Sequence, residues 1–505
     1  METASQRETL SLSLKDVRVL CAALVTLFAV RLLAVFLFPF TDTTEARYAE
    51  IARKMVETRD WITPQFEYGV PFWGKPPLHT WLSAGGMEVF GVGEFGARIF
   101  IFAAALGLLW LFYRWTTLEL GRDMALVATT VLASSGLFYI ASAFVMTDLP
   151  LIVGTTMSMI GFWSLAGPGE SRTGWSHLIF LGLAVGLMAK GPVAILLTGI
   201  PIGLWILIGN RWRLLLRVPW VSGLALTLAL TVPWYIAAEL KTPGFLNYFL
   251  VGEHFERFVV SGWKGDLYGS GHAEPKGMIW IFWPGMFLPW TLFCIALLFK
   301  AGKVFQAFRQ DDTGWRSYLL LWTIAPMILF TPAANILPAY VLPGLPAASL
   351  LLVTLWADIW SGRPSLKARG IFLAGLGGIA ALVLSVSVLS VVAPTEIGLK
   401  SQKKFVQKAT ELAPEGSVFY WQGRNYSSEF YTSGNSSVIH DVGSVIELAN
   451  NGTRDVLAVR RNNSDQLEAK IDRHFERIGV YGRYVLFVER NRPEMSDVSS
   501  SANRP

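Results

Sequence analysis

Apolar runs long enough to cross a bilayer recur along almost the whole chain, and no other feature narrows its fold as far. The first covers residues 17–40 and the last residues 369–393. A bare stretch of ~20 apolar residues is enough to span the hydrocarbon core. The composition agrees, with 52% hydrophobic and only 16% charged residues, where soluble domains carry about a quarter charged. Runs that repeat in this way are not explained by a signal peptide or a single anchor. The two cysteines, Cys21 and Cys294, both fall inside apolar runs, so neither a disulfide framework nor a Cys-based metal site is available. A net charge of +6 fits cytoplasmic basic loops and anionic lipid headgroups, and nucleic acid is not an expected partner.

The basic loops set the predicted topology. Residues 44–57 are amphipathic, and residues 78–92 are apolar but short and interrupted by Gly85, Gly86 and Glu88. Both read as helices lying in the membrane interface. With 78–92 interfacial, Arg114, Arg122, the Arg211/Arg213/Arg217 cluster and Lys300/Lys303/Arg309 all fall on the cytoplasmic side. The expected architecture is therefore a polytopic α-helical membrane protein of about eleven spans, N-terminus inside and C-terminus outside. The membrane region is expected over 1–393, with outer loops at 41–96 and 238–278. Residues 394–490 read as a small α/β domain on the outer face, with strands near 417–421, 456–459 and 484–488 and helices at 403–412 and 465–478. Residues 491–505 read as a disordered tail. The 20 tryptophans read mostly as an interfacial belt and lipid-facing packing.

This topology gathers ionisable residues on one side. Asp42, Glu45, Arg47 and Lys75 come from the first loop, Asp148 and Lys190 from span ends, and His254, Arg257 and His272 from loop 238–278. Asn335 to Tyr340 complete the set. Such groups close to hydrocarbon are costly and usually functional. Asp42 also fits a capping box with Glu45, and Lys190 fits a cation at a helix C-terminus.

Several pieces occur in order: Glu45-Ala46-Arg47-Tyr48-Ala49-Glu50, Arg59-Asp60-Trp61, Phe72 to Pro77, Asp148, Lys190-Gly191-Pro192, Pro233-Trp234-Tyr235, Glu253-His254-Phe255-Glu256-Arg257, Pro289-Trp290 and Leu337-Pro338-Ala339-Tyr340. This set resembles the GT-C superfamily of membrane glycosyltransferases, in the branch of the aminoarabinose–lipid A transferases and, more distantly, the protein O-mannosyltransferases. The resemblance implies a GT-C fold and transfer of one sugar, with inversion, from a polyprenyl-phosphate donor. The acceptor would be a glycolipid such as lipid A, a glycan or a protein, met at the periplasmic side of the inner membrane. Three positions depart from the family pattern. Thr44 stands where an Asp is common, Gly74 where Phe-Glu-Lys-Pro has its acid, and Ile336 where a Lys is usual.

Displacing a lipid phosphate from a sugar needs a base for the acceptor hydroxyl and cations for the charge growing on the leaving group. Asp42 or Glu45 is the expected base. Lys75, Arg47, Lys190 and Arg257 are the expected phosphate ligands. Tyr48, Asp148, Tyr340, His254 and His272 are expected to line the substrate, and the two histidines leave a divalent cation open. A transporter or flippase of the same lipids is the alternative. It would place ionisable residues and broken helices at the bilayer midplane rather than at one face.

Overall fold

The computed structural model describes residues 12–167, 173–269, 272–359, 366–393 and 399–490. The expected tail at 491–505 lies outside the described residues. The chain forms two compact units: Met1–Phe38 with Ile51–Ser387, and Pro39–Glu50 with Val388–Pro505.

The larger unit is a helical bundle, and the chain is a polytopic membrane protein. Among the described residues six helices are long and apolar enough to span: Leu14–Leu37, Glu94–Leu120, Asp148–Ala166, Trp220–Lys241, Pro338–Ile359 and Gly370–Leu389. Ile279–Met286 and Thr291–Leu298 make a further pair bent by 109°, and Gly174–Lys190, Val193–Ile208 and Trp315–Phe330 are shorter apolar helices. Helix length alone thus gives fewer spans than the eleven expected, because several apolar runs are broken. The run at 123–143 divides into Arg122–Ala133 and Gly136–Ala141. Leu78–Phe90 has 13 residues, roughly 20 Å of helix against a core of about 30 Å.

Glycines set the closest helix crossings. A Cβ on Gly86 would lie 2.1 Å from the Gly96 carbonyl oxygen, so Leu78–Phe90 and Glu94–Leu120 meet backbone to backbone. Asp148–Ala166 and Leu178–Lys190 do the same, where a Cβ on Gly154 would stand 2.6 Å from both Gly182 O and Gly186 N. Small residues permit such approach where lipid gives no hydrophobic drive between helices. Some of the tryptophans lie in the interior rather than in a belt, while Trp110, Trp212, Trp220 and Trp280 are exposed. Trp115, Trp163, Trp290, Trp315 and Trp322 are among the largest fully buried side chains. Trp163 and Trp115 pack on Trp315 with ring centroids 4.6 and 5.4 Å apart. Large rings fill the space between helices that do not cross at glycine.

A short hairpin, β1 (Gln65–Glu67) and β2 (Val70–Pro71), precedes Leu78–Phe90. The smaller unit is built on five strands: β3 (Val418–Trp421), β4 (Ser436–Ile439), β5 (Val456–Arg460), β6 (Phe475–Tyr481) and β7 (Tyr484–Glu489). Their order is β4-β3-β5-β7-β6. β3 is parallel to β4 and β5, and β7 is antiparallel to β5 and β6. Alternate residues serve opposite faces. Val456, Ala458, Leu486 and Val488 pack with Phe405 and Ala409 of helix Lys403–Leu412. Leu457, Val459, Val485 and Phe487 pack with Val445, Leu467 and Ile471 from the other side. The helix expected at 465–478 stops at Ile471, and its second half is the edge strand β6. Its exposed Glu476 and Arg477 mask the period-two pattern.

Candidate active site

In the membrane unit three cations, Lys75, Lys190 and Arg257, pair with three acids, Glu253, Asp148 and Asp266. Lys75 is delivered by a stiff loop. The Tyr268 hydroxyl donates to Pro71 O at 2.8 Å and accepts from Trp73 N at 2.9 Å. Trp73 Nε1 donates to Thr242 Oγ1 at 3.0 Å, and Pro76 and Pro77 follow. The loop also explains Gly74. A Cβ there would lie 2.9 Å from Phe72 Cζ and 3.4 Å from Tyr268 Cδ2, and Phe72 is itself held against Tyr268 at 4.7 Å. The carboxylate beside Lys75 comes from elsewhere in the chain: Lys75 Nζ donates to Glu253 Oε2 at 2.6 Å.

Glu253 lies on a widened, π-helical turn, Tyr248–Glu256, a form frequent at functional sites. Arg257 donates to Glu253 Oε1 at 3.0 Å and pairs with Asp266 at 3.3 Å. Burial pushes the Glu253 carboxyl up, but Lys75 and then Arg257 outweigh it and hold it below the usual range. Burial likewise works against the Arg257 charge, and Glu253, Tyr340 and Asp266 overcome it and raise its pKa. Asn335 Nδ2 fixes the turn by donating to Arg257 O at 2.7 Å and Val260 O at 2.8 Å.

The glycine crossing brings the second pair together. Asp148 opens one helix and Lys190 closes its antiparallel neighbour, each at the end the helix dipole favours. Lys190 Nζ donates to Asp148 Oδ1 at 2.6 Å and lies 4.3 Å from the Tyr340 ring centroid. His254 bridges two backbone carbonyls, Phe249 O at 2.7 Å and Lys190 O at 3.1 Å, and burial lowers its pKa. It braces the end of the Lys190 helix. His272 is exposed. Among the described residues no three His, Cys, Asp or Glu side chains are grouped to hold a metal ion.

Asp42, Glu45, Arg47 and Tyr48 belong to the smaller unit. Asp42 does not cap its own helix, which starts at Thr44. Its carboxylate accepts from Ser427 N at 3.0 Å and from the Ser427 hydroxyl. Burial pushes it up to about 6. Glu45 is completely buried and Tyr48 nearly so. The Arg47 guanidinium lies 5.3 Å from the Tyr48 ring and 5.8 Å from the Tyr426 ring.

Lys75, Lys190, Arg257, Asp148, Tyr340 and His254 are thus linked within the membrane unit, and Asp42, Glu45, Arg47 and Tyr48 lie together in the other. The sequence reading missed Glu253 and Asp266 as partners of the cations. The i,i+4 spacing of Glu253 and Arg257 was the available signal.

Residues 17–249 match the family described as dolichyl-phosphate-mannose-protein mannosyltransferase. The chain is 30% identical over 354 residues to an undecaprenyl phosphate-alpha-4-amino-4-deoxy-L-arabinose arabinosyl transferase of Edwardsiella ictaluri, covering 67% of this chain and 60% of that protein. It is 31% identical over 364 residues to the enzyme of the same name from Erwinia tasmaniensis, covering 69% and 61%. The chain spans about 60% of the length of these curated relatives. The crystal structure of ArnT from Cupriavidus metallidurans bound to undecaprenyl phosphate superposes with a TM-score of 0.74 at 19% identity, covering 93% of this chain and 97% of that one. At 19% identity this likeness shows a shared fold, the GT-C fold. In sequence its similarity runs to the arabinosyl transferases named above, and the fold carries Lys75, Lys190 and Arg257 from three separate stretches of chain.

Proposed function

We propose that this GT-C protein transfers a sugar from a polyprenyl-phosphate donor to an acceptor at the periplasmic face of a bacterial inner membrane. The observation that carries the reading is the linked set Lys75, Arg257, Lys190 and Tyr340, three cations and a phenol in one unit of a membrane protein. The names of its relatives, undecaprenyl phosphate aminoarabinose arabinosyl transferases, support undecaprenyl phosphate sugars as the donor class. Each cation is now paired with an acid, so an incoming phosphate takes over bonds that Glu253 and Asp148 make. Arg257 offers a planar fork and the lysines compact point charges. In the reaction the acceptor oxygen bonds to the sugar C1 while the C1–O bond to phosphate breaks, and the lipid phosphate leaves with the electron pair. The cations neutralise that developing charge.

We propose Glu45 as the base that takes the acceptor's proton, because it stands in the Glu45-Ala46-Arg47-Tyr48 element that carries the resemblance. Glu45 is fully buried, so this role requires the covering side chains to part when the acceptor arrives. A glycolipid, a glycan and a protein hydroxyl are the acceptor classes to test.

The experiment incubates purified protein in detergent with radiolabelled polyprenyl-phosphate sugars and membrane lipid extract, comparing wild type with Lys75→Ala and Glu45→Gln. Transfer by wild type that both variants lose supports the reading. Full activity in Glu45→Gln removes Glu45 as base. No transfer with any donor, together with faster lipid movement across liposomes, would replace the enzyme by a flippase.

A further inference from the structure

The segment at residues 39–50 belongs to the same compact unit as the C-terminal sheet, and its main chain is bonded there at successive points. Phe40 N donates to the Tyr431 hydroxyl at 2.8 Å, and the Phe40 ring, fully buried, packs edge-on against Phe430 at 4.6 Å. Asp42 N donates to Lys400 O at 2.8 Å. The Asp42 carboxylate receives both the N–H and the hydroxyl of the buried Ser427, at the first turn of helix Tyr426–Tyr431. Two residues later helix Thr44–Thr58 begins, carrying Glu45 and Arg47.

We propose that Asp42 is a positioning residue: by holding Ser427 it fixes the start of helix Thr44–Thr58, and through it Glu45 and Arg47, without touching substrate. This rests on the transferase reading for its kinetic consequence. The chemistry of the contact separates positioning from proton transfer. A carboxylate that takes up a substrate proton has no substitute in an amide. A carboxylate that only accepts from Ser427 N does, because the Asn oxygen accepts from the same N–H and its NH2 donates to the serine hydroxyl. Charge-assisted hydrogen bonds of this kind are among the stronger ones, so removing the acceptor altogether loosens the helix start.

The test compares Asp42→Asn, Asp42→Ala, Ser427→Ala and the double variant Asp42→Ala/Ser427→Ala in the full chain. The expected result is kcat within about threefold of wild type for Asp42→Asn and at least about tenfold lower for Asp42→Ala, with donor KM little changed. Ser427→Ala falls between them, and the double variant is no worse than Asp42→Ala alone, as for two halves of one contact. An Asp42→Asn variant as inactive as Asp42→Ala overturns the proposal, because the carboxylate itself is then needed. So does an Asp42→Ala variant with full activity.

Amide hydrogen exchange gives a readout independent of turnover. Exchange at residues 44–50 and 426–431 rises in Asp42→Ala and stays at the wild-type level in Asp42→Asn. Unchanged exchange in Asp42→Ala overturns the contact whatever the activity. If wild type transfers no sugar while exchange behaves as expected, the transferase reading fails and the positioning of the helix stands.

Discussion

Lys75 Nζ donates to Glu253 Oε2 at 2.6 Å, joining two loops 178 residues apart in sequence. Each partner has a second tie, Lys75 to the Gly74 carbonyl at 2.5 Å and Glu253 to Arg257 at 3.0 Å. A pair this enclosed, with side chains 16% and 3% exposed, is costly to break from one side because the remaining charge stays desolvated. It also places two cations on one carboxylate, the spacing at which a phosphate could replace it.

On the proposed reading, replacing Lys75 by Met removes a cation that would meet the donor phosphate and releases Glu253 at once. Transfer should fall by about 100-fold or more, as when a charge-stabilising donor is lost elsewhere. The Glu253 carboxyl is held below its ordinary 4.5 in wild type. A depressed folded-state pKa supplies stability above the unfolded value and loses it as pH falls through the folded one. Wild type should therefore hold its Glu253 contribution down to pH values below 4.5. Lys75→Met should begin losing it at higher pH, read as the thermal midpoint in detergent across acid pH.

Asp148 and Lys190 are similarly enclosed, with side chains 10% and 11% exposed. Asp148→Ala and Lys190→Ala should each destabilise by about 3 kcal/mol by leaving a buried charge unpaired. A double variant, Asp148→Leu with Lys190→Met, should be less destabilised than the sum of the singles. Thermal unfolding of the four proteins measures the coupling, and additivity would mean that the pair contributes nothing jointly.

How much of this could be read in the sequence depends on the distance over which the signal acts. Apolar runs and motif order are local patterns; the runs led to the helical membrane unit, and the motif order to the resemblance that implied the GT-C fold. Asp148 and Lys190 were legible as span ends, though not as partners, because what joins them is the crossing of Gly154 with Gly182 and Gly186. Gly74 read as a lost acid. Only packing shows Phe72 and Tyr268 occupying the space a side chain would need, and Glu253 arriving from a remote turn. Asp42 looked like a local cap, since the spacing to Glu45 satisfies that motif, yet its partner is 385 residues away.

Gly154→Ala tests whether the helix crossing sets the Asp148–Lys190 distance. A Cβ there would sit 2.6 Å from backbone atoms that cannot move aside. The helices should separate at a cost of about 1–3 kcal/mol, with transfer reduced. Gly199 lies in helix Val193–Ile208 with nothing within 4 Å of an added Cβ. Gly199→Ala should leave the thermal midpoint unchanged or raise it slightly, through helix propensity. Equal effects at the two positions would remove the steric argument.

Asp42 gives a pH dependence of opposite sign to that of Glu253. Burial raises its folded-state carboxyl to about 6 from an ordinary 3.8, while Ser427 works to lower it and Glu429 adds to the rise. The native state therefore binds the Asp42 proton more tightly than the unfolded chain does. Stability from this group falls as pH rises from about 4 to about 6 and is flat above that. Asp42→Asn keeps the bond from Ser427 N without a buried charge, so it should melt higher than wild type at pH 7, with the gap closing as pH falls toward 5. The thermal midpoints of the two proteins across that range measure it. A gap that does not change with pH would mean that the Asp42 carboxylate is already solvated in the native protein.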